Sequence, residues 1–423
     1  MFSEIRILMV PQARVPVERA EQPAPWHQAP IVQSIFETVT RAAFGSREVD
    51  DRVPKHAPHA KKARSRKYEL MKTADIIIVG SGSLAQGIVY TLSQVVTDSL
   101  RVAIVGRSAA KVSRITLIAN ARAASFGTSA DFLPLAIPEF NALAFSRLFR
   151  SLKPKVILLA ASLQSPWESS LGHNAWTKLI ATSGFGITLP LQLAFAAELS
   201  RAAADREAAI VNACYPDCVN VVLDGLGLRI TSGIGNSAIV EAFCRSRNGS
   251  DGGDVRVVGH HGQLGPWLKG KAYQSQPRVW VNGSERNSLR MRPKLGPVHD
   301  DLNSVTSSTA TRVLLSLLTG ETLHTSIPGV AGMPGGYPFV LKHGKFTLQL
   351  PAEVPVAEAI AHNKAGERLD GLEVGSEVNF VGKARRSLIA VGFEYAQGFN
   401  LAEWQRASNR MVALRNRLRR TNA

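Results

Sequence analysis

The stretch "ADIIIVGSGSLAQGIVYTLSQ", Ala74 to Gln94, decides how this chain is read. Ile76-Ile77-Ile78-Val79 is a β-branched apolar run bounded by glycine, which predicts a buried strand of a parallel sheet. The spacing Gly80-x-Gly82-x-x-Ala85 follows. A first glycine permits a tight turn, a second bares the backbone to phosphate oxygens, and a small third residue lets a helix pack on the strand. Leu84, Ile88 and Leu92 recur at four-residue intervals, so the loop opens a helix whose N-terminal amides would face an anion. Gly80, Gly82, Ser83, Leu84 and Ala85 are therefore candidate phosphate-binding residues. The alternative is a strand and helix joined by glycines that serve packing alone.

Working outward, strands and helices alternate: "RVAIVG" (101–106), a helix through Lys111 to Ala121, "KVILLAAS" from Lys155, a helix from Trp176 to Leu199, and "AAIVNA" ending at Ala213. Alternation of this kind predicts an α/β fold with a doubly wound parallel sheet over residues 71–219. Past Val219 the character changes. His343-Gly344 joins two strand-like runs as a hairpin turn. Asn400 reads as an N-cap with Glu403 three residues on, ahead of Leu401, Trp404, Met411, Leu414 and Leu418 on one helical face. Residues 220–423 are thus expected to form a second, α+β domain. Residues 1–70 hold seven prolines and a basic run, and read as a poorly ordered extension that Met71 terminates like a fresh start.

A net charge of +17 raises a nucleic-acid reading, but the charge is dispersed. Its two clusters, "KKARSRK" (61–67) and "RNRLRR" (415–420), lack interleaved aromatics, so no specific nucleic-acid partner is expected. No run approaches the roughly 18 apolar residues of a membrane span, and no signal peptide opens the chain; a cytoplasmic protein is expected. Three cysteines, Cys214, Cys218 and Cys244, lack the paired spacing of a zinc site, so buried thiols and no metal are expected.

The end of the second strand reports on the nucleotide. A dinucleotide fold usually ends that strand with an acidic residue that binds the ribose hydroxyls of NAD. Here Gly106 stands in that place, followed by Arg107 and Ser108. A guanidinium and a hydroxyl suit a 2′-phosphate, and no carboxylate repels it, so NADP is favoured with NAD as the alternative.

From Met71 onward the chain resembles the lactate/malate dehydrogenase superfamily. "RSAAKVSRITLIANARAASFGTSADF" resembles the family's run after the second strand, and "VILLAASLQSPWESS" its third-strand segment with the loop that closes over substrate. "IVNACYPDCVNVVL" is similar to its asparagine-proline-aspartate turn, "GIGNSAIVEAF" to the start of its long catalytic-domain helix, and "VVGHHGQLGPW" to its histidine motif. The resemblance implies a Rossmann dinucleotide domain, a homodimer, and hydride transfer on a small-molecule substrate. It matches His261 to the proton-relay histidine, Asn212 to the asparagine beside the reacting oxygen, and Ser307 to a small hydroxyl residue lining the pocket.

Three departures bear on the substrate. The family's loop arginine would fall near Ser170, its carboxylate-clamping arginine near Ala242, and the aspartate that orients the histidine near Ile239. Serine, alanine and isoleucine cannot do the work of those charges. Glu241 lies two positions along the helix and so points elsewhere. The expectation is an NAD(P)-dependent oxidoreductase acting on a carbonyl, alcohol or imine without the carboxylate clamp, its His261 without an anionic partner to raise its pKa. Trp167, Trp267 and Tyr337 are candidates for an apolar pocket. The competing readings are a non-catalytic dinucleotide sensor or scaffold, and a nicotinamide-dependent glycosidase, whose metal cysteine would fall near Gly235.

Overall fold

A computed structural model describes residues 73–96, 98–168, 172–247, 253–271, 275–295 and 301–421. The 1–70 extension and Ser170 lie outside the described residues. Six parallel strands, β1 (Ile76–Val79), β2 (Leu100–Gly106), β3 (Ala130–Ala136), β4 (Val156–Leu159), β5 (Ala209–Asn212) and β6 (Ser232–Gly233), stand in the order β3-β2-β1-β4-β5-β6. That is the order of a doubly wound nucleotide-binding sheet, and it reverses direction between β1 and β4.

Successive strand residues point to opposite faces, and both faces here are covered, which is why β1 is apolar throughout. Ile76 and Ile78 meet α1 (Ser83–Val95) and α2 (Ala109–Phe126) through Ile88, Leu92 and Ile115. Ile77 and Val79 join the core formed with α3 (Ala142–Leu152), α4 (Ala175–Ser183) and α5 (Leu189–Ala202) through Phe145, Phe149, Trp176 and Leu191. The helices begin where short polar side chains accept the first orphan amides: Ser108 from Lys111, Asn141 from Ala144 and Asn174 from Thr177. "VILLAAS" proves to be the fourth strand. The missed edge strand β3 contains Pro134, has no neighbour beyond it among the described residues, and buries only Phe132, so its apolar run is weak.

Beyond β5 come α6 (Pro216–Gly225), α7 (Ser237–Ser246), β7 (Val255–Val258), α8 (His261–Leu268), β8 (Arg278–Val281), β9 (Ser284–Arg286) and α9 (Leu302–Thr319). Strands β10 (Leu323–Pro328), β11 (Gly336–Lys342) and β12 (Lys345–Leu348) form an antiparallel sheet, with His343 and Gly344 both at positive φ in the expected hairpin turn. Then follow α10 (Val356–Leu369), β13 (Leu372–Val374), β14 (Glu377–Phe380), α11 (Gly382–Ala390), β15 (Gly398–Asn400) and α12 (Trp404–Arg419). Asn400 caps a short 3-10 turn through the Ala402 amide, and α12 starts only after it. The cores run across residue 219: Leu372, Val378, Trp404 and Met411 pack with one face of the six-stranded sheet, and Ala310, Leu314 and Tyr337 with the other. No helix among the described residues is long and apolar enough to cross a membrane.

Candidate active site

The C-terminal ends of β1, β2 and β4 open into a cleft of about 590 Å³. Open α/β sheets bind ligands at this switch point. Gly80, Gly82, Ser83 and Leu84 line it; Ala85 is buried beneath α1. Gly80 has φ +141°, and a Cβ there would stand 2.7 Å from the Ala160 carbonyl carbon, so only glycine carries the chain past the end of β4. Gly82 would meet nothing within 4 Å, leaving its backbone open to the cleft. Ser83 is steadied by Asn303, whose Nδ2 donates to its Oγ at 2.8 Å.

Arg107 and Ser108 line the same end, together with Lys111, which the sequence reading passed over although it lies one helical turn into α2. The Arg107 guanidinium rests over Phe140 and Phe195, 5.8 and 6.0 Å from the ring centroids. Ser108 is the α2 N-cap. At Gly106 a Cβ would stand 2.7 Å from Val112 Cγ1, so a side chain at this usually acidic position would require Val112 to move.

At the other end stands His261, the first residue of α8. Its amide donates to Asp217 Oδ1 at 2.9 Å, and its ring is 28% exposed, toward the cleft. Nδ1 lies 2.7 Å from Asp370 Oδ2, and that same oxygen accepts the Tyr215 hydroxyl at 2.9 Å. The expectation of an imidazole without an anionic partner is therefore corrected: α10 delivers a carboxylate at its C-cap. Burial pulls the His261 pKa down, but the charge and hydrogen bond of Asp370, aided by Asp217, outweigh it and hold the pKa above the ordinary value. Burial pushes Asp370 up in turn, while His261, His260 and the Tyr215 hydroxyl keep it below the usual carboxylate range.

Tyr215 reaches Asp370 from a left-handed backbone, φ +51°, which is unfavourable for a bulky residue and is held by its burial. Its ring packs edge-on against His261 at 5.1 Å and Phe185 at 5.1 Å. Ala213, Cys214 and Tyr215 separate Asn212 from Pro216-Asp217, and the last of them places this phenol here.

Asn212 is buried below the cleft, its carboxamide bonded to the Cys214 backbone and to Asn220. Asn236 lines the cleft instead, its Nδ2 donating to Asp217 Oδ2. Ser307 faces α1, where Gly87 makes room for it, and Thr306 takes the lining position. Glu241 pairs with Arg245 and accepts the Ser326 amide, away from His261. Trp167 lines the cleft; Trp267 and Tyr337 are fully buried in the cores.

Behind His261, Cys218, His260 and Glu367 form a buried group with metal-binding atom types. His260 Nδ1 accepts the Gly262 amide at 3.1 Å, so neutral His260 carries its hydrogen on Nε2, toward Cys218 Sγ at 3.4 Å. The Glu367 oxygens take Lys364 Nζ and the Val374 amide. The cluster is satisfied as a hydrogen-bonded core, and a ligating Nε2 would require that hydrogen to leave. Gly235, at φ +93°, has no side chain to offer a metal.

No family model and no curated protein matches the chain. Among solved structures it is similar to lactate dehydrogenase from Cryptosporidium parvum complexed with lactic acid and β-nicotinamide adenine dinucleotide, at 13% identity over 71% of this chain and 97% of that one, TM-score 0.47. Malate dehydrogenase from the same organism matches at 14% identity over 70% and 98%, TM-score 0.44. Lactate dehydrogenase from Eimeria maxima with NADH and oxamate matches at 12% over 70% and 91%, TM-score 0.44. Likeness at this level carries no argument about chemistry, and the fold rests on the strand order itself.

Proposed function

We propose that the cleft binds a nicotinamide dinucleotide and that the protein is an oxidoreductase interconverting an alcohol and a carbonyl compound, or an amine and an imine. The observation that carries this reading is that His261, anchored on a buried carboxylate, lines the same cleft as the Gly80–Leu84 loop. The loop fits the pyrophosphate: its backbone is bare at Gly82, and the first turn of α1 holds no acidic residue. When bound, the dinucleotide supplies or accepts the hydride. His261 handles the proton. With Nδ1–H held by Asp370, Nε2 is the ring nitrogen with no partner among the described residues, and it takes a proton from the substrate hydroxyl or returns one to the carbonyl oxygen. Phe185 and Tyr215 flank the imidazole and keep water from its faces.

Arg107 and Lys111, with no acidic side chain at Gly106, support NADP(H) over NAD(H). The test is a fluorescence titration of the purified protein with NADPH and NADH, followed by a turnover screen of the wild type and His261→Gln. Binding with NADPH the tighter, and turnover lost in the variant, is the expected result. Binding without any His261-dependent turnover would leave a sensor, and binding of neither nucleotide would remove the reading altogether.

A further inference from the structure

Resting on His261 as the proton relay, we propose that the substrate is an uncharged compound with an apolar body, and that 2-hydroxy and 2-oxo acids are excluded. The walls around the imidazole carry the argument. Phe185 lies 4.9 Å from the His261 ring, and Leu264 follows one helical turn on. Leu264 belongs to an apolar cluster with Ile239 and Leu302, against which Trp167 packs, and all four of these side chains line the cleft. Such a wall gains by excluding water from hydrocarbon, and none of these side chains carries a charge.

Charge points the same way. The carboxylates of Asp217 and Asp370 are both buried directly behind His261. The cationic side chains lining the cleft among the described residues, other than His261 when protonated, are Arg107 and Lys111, both past the end of β2. A substrate carboxylate beside the reacting carbon would thus face the Asp217 carboxylate, and that of Asp370 as well whenever His261 is neutral, across an apolar wall. Among the uncharged polar side chains of the lining is an amide, Asn236, tethered by Asp217. An amide can hydrogen-bond a hydroxyl or carbonyl oxygen without requiring charge on the ligand. In the oxidative direction the carbinol C–H leaves as hydride to the oxidised dinucleotide, the O–H proton goes to His261 Nε2, and the C=O bond forms; reduction reverses each transfer.

The experiment compares phenylacetone with phenylpyruvate, which differ by a methyl in place of a carboxylate, as substrates of the full chain with NADPH. A kcat/KM higher by about 100-fold for the ketone is expected; equal or better turnover of the acid overturns the proposal. Binding of 2-phenylacetamide and phenylacetate to the protein saturated with NADP+, measured by calorimetry, separates this proposal from the relay itself. If neither carbonyl compound turns over, the relay reading fails, yet tighter binding of the amide by tenfold or more sustains the selectivity of the cleft. Tighter or equal binding of the acid, or binding of neither, removes it.

Discussion

His261 Nδ1 lies 2.7 Å from Oδ2 of Asp370, a residue 109 positions further along the chain. The imidazole closes the start of α8 and the carboxylate the end of α10, so one hydrogen bond joins two helix termini and fixes which ring nitrogen faces the cleft. Asp370→Asn removes the charge that raises the His261 pKa while burial still lowers it. The limb of the oxidation profile that needs neutral imidazole is therefore expected above pH 6.5 in the wild type and at lower pH in the variant, with turnover down by about 10²-fold or more. A wild-type limb that stays put in Asp370→Asn would sink the assignment.

The same pair makes stability depend on pH. His261, with a raised folded pKa, contributes stability that is complete below its unfolded value near 6.5 and is lost as pH rises through the folded value. Asp370, with a lowered folded pKa, contributes above its unfolded value near 3.9 and loses that contribution as pH falls through the folded one. The difference in thermal midpoint between wild type and His261→Gln is expected to be largest between about pH 4 and 6.5 and to shrink on both sides. A pH-independent difference would mean the ion pair does not form.

Tyr215→Phe keeps the ring and deletes one of the two donors on Asp370 Oδ2. With less of its charge drawn off, the carboxylate holds the imidazolium more strongly, so the His261 pKa should rise further. The stability cost is expected at about 0.5–1.5 kcal/mol, that of one hydrogen bond. An NMR titration of the imidazole reads the first effect directly, and an unmoved pKa would show that the phenol only packs.

Arg107→Asp should weaken NADPH by about 1–3 kcal/mol while leaving NADH nearly unchanged, because a partner of the 2′-phosphate is replaced by a like charge. Lys111→Glu should act in the same direction. Equal losses for both nucleotides would take the 2′-phosphate away from this corner.

His260→Gln should act on folding rather than chemistry. The side chain is fully buried, caps α8 through Gly262 and meets Cys218, so its loss is expected to lower stability by about 0.5–2 kcal/mol with nucleotide affinity retained. A turnover defect equal to that of His261→Gln, at unchanged thermal midpoint, would reassign the relay.

That the Gly80–Leu84 loop joins a strand to a helix at the cleft was legible because its information is local. Strand, glycine turn and helix occupy adjacent residues, and Gly80 answers a steric demand at the turn. At the other end only His261 was singled out from the sequence among the residues that meet around Asp370. Asp370, in "RLDGLEV", reads as nothing more than a helix ending before a glycine, since its meaning depends on α10 docking beside α8. Tyr215 was hidden for another reason: within "IVNACYPDCVNVVL" the spacing gives no sign of the left-handed backbone that aims its phenol at Asp370. Asn212 was the natural reading of that motif, but its amide is enclosed by the turn it stabilises, and Asn236 on α7's threshold meets the cleft.

The two ends of the cleft also differ in what must be in place before they exist. Much of the cleft's glycine-loop end comes from residues 80–111, whereas Phe185, Tyr215, His261 and Asp370 arrive from four segments spread over 186 positions, 185 through 370. Contacts that close such long intervals form late in folding, and those whose segments open locally are lost early under mild denaturation. Nucleotide affinity should consequently outlast turnover as urea is added and return ahead of it on dilution. A preparation that binds cofactor but is inert would then report an undocked α10 rather than a missing catalytic group.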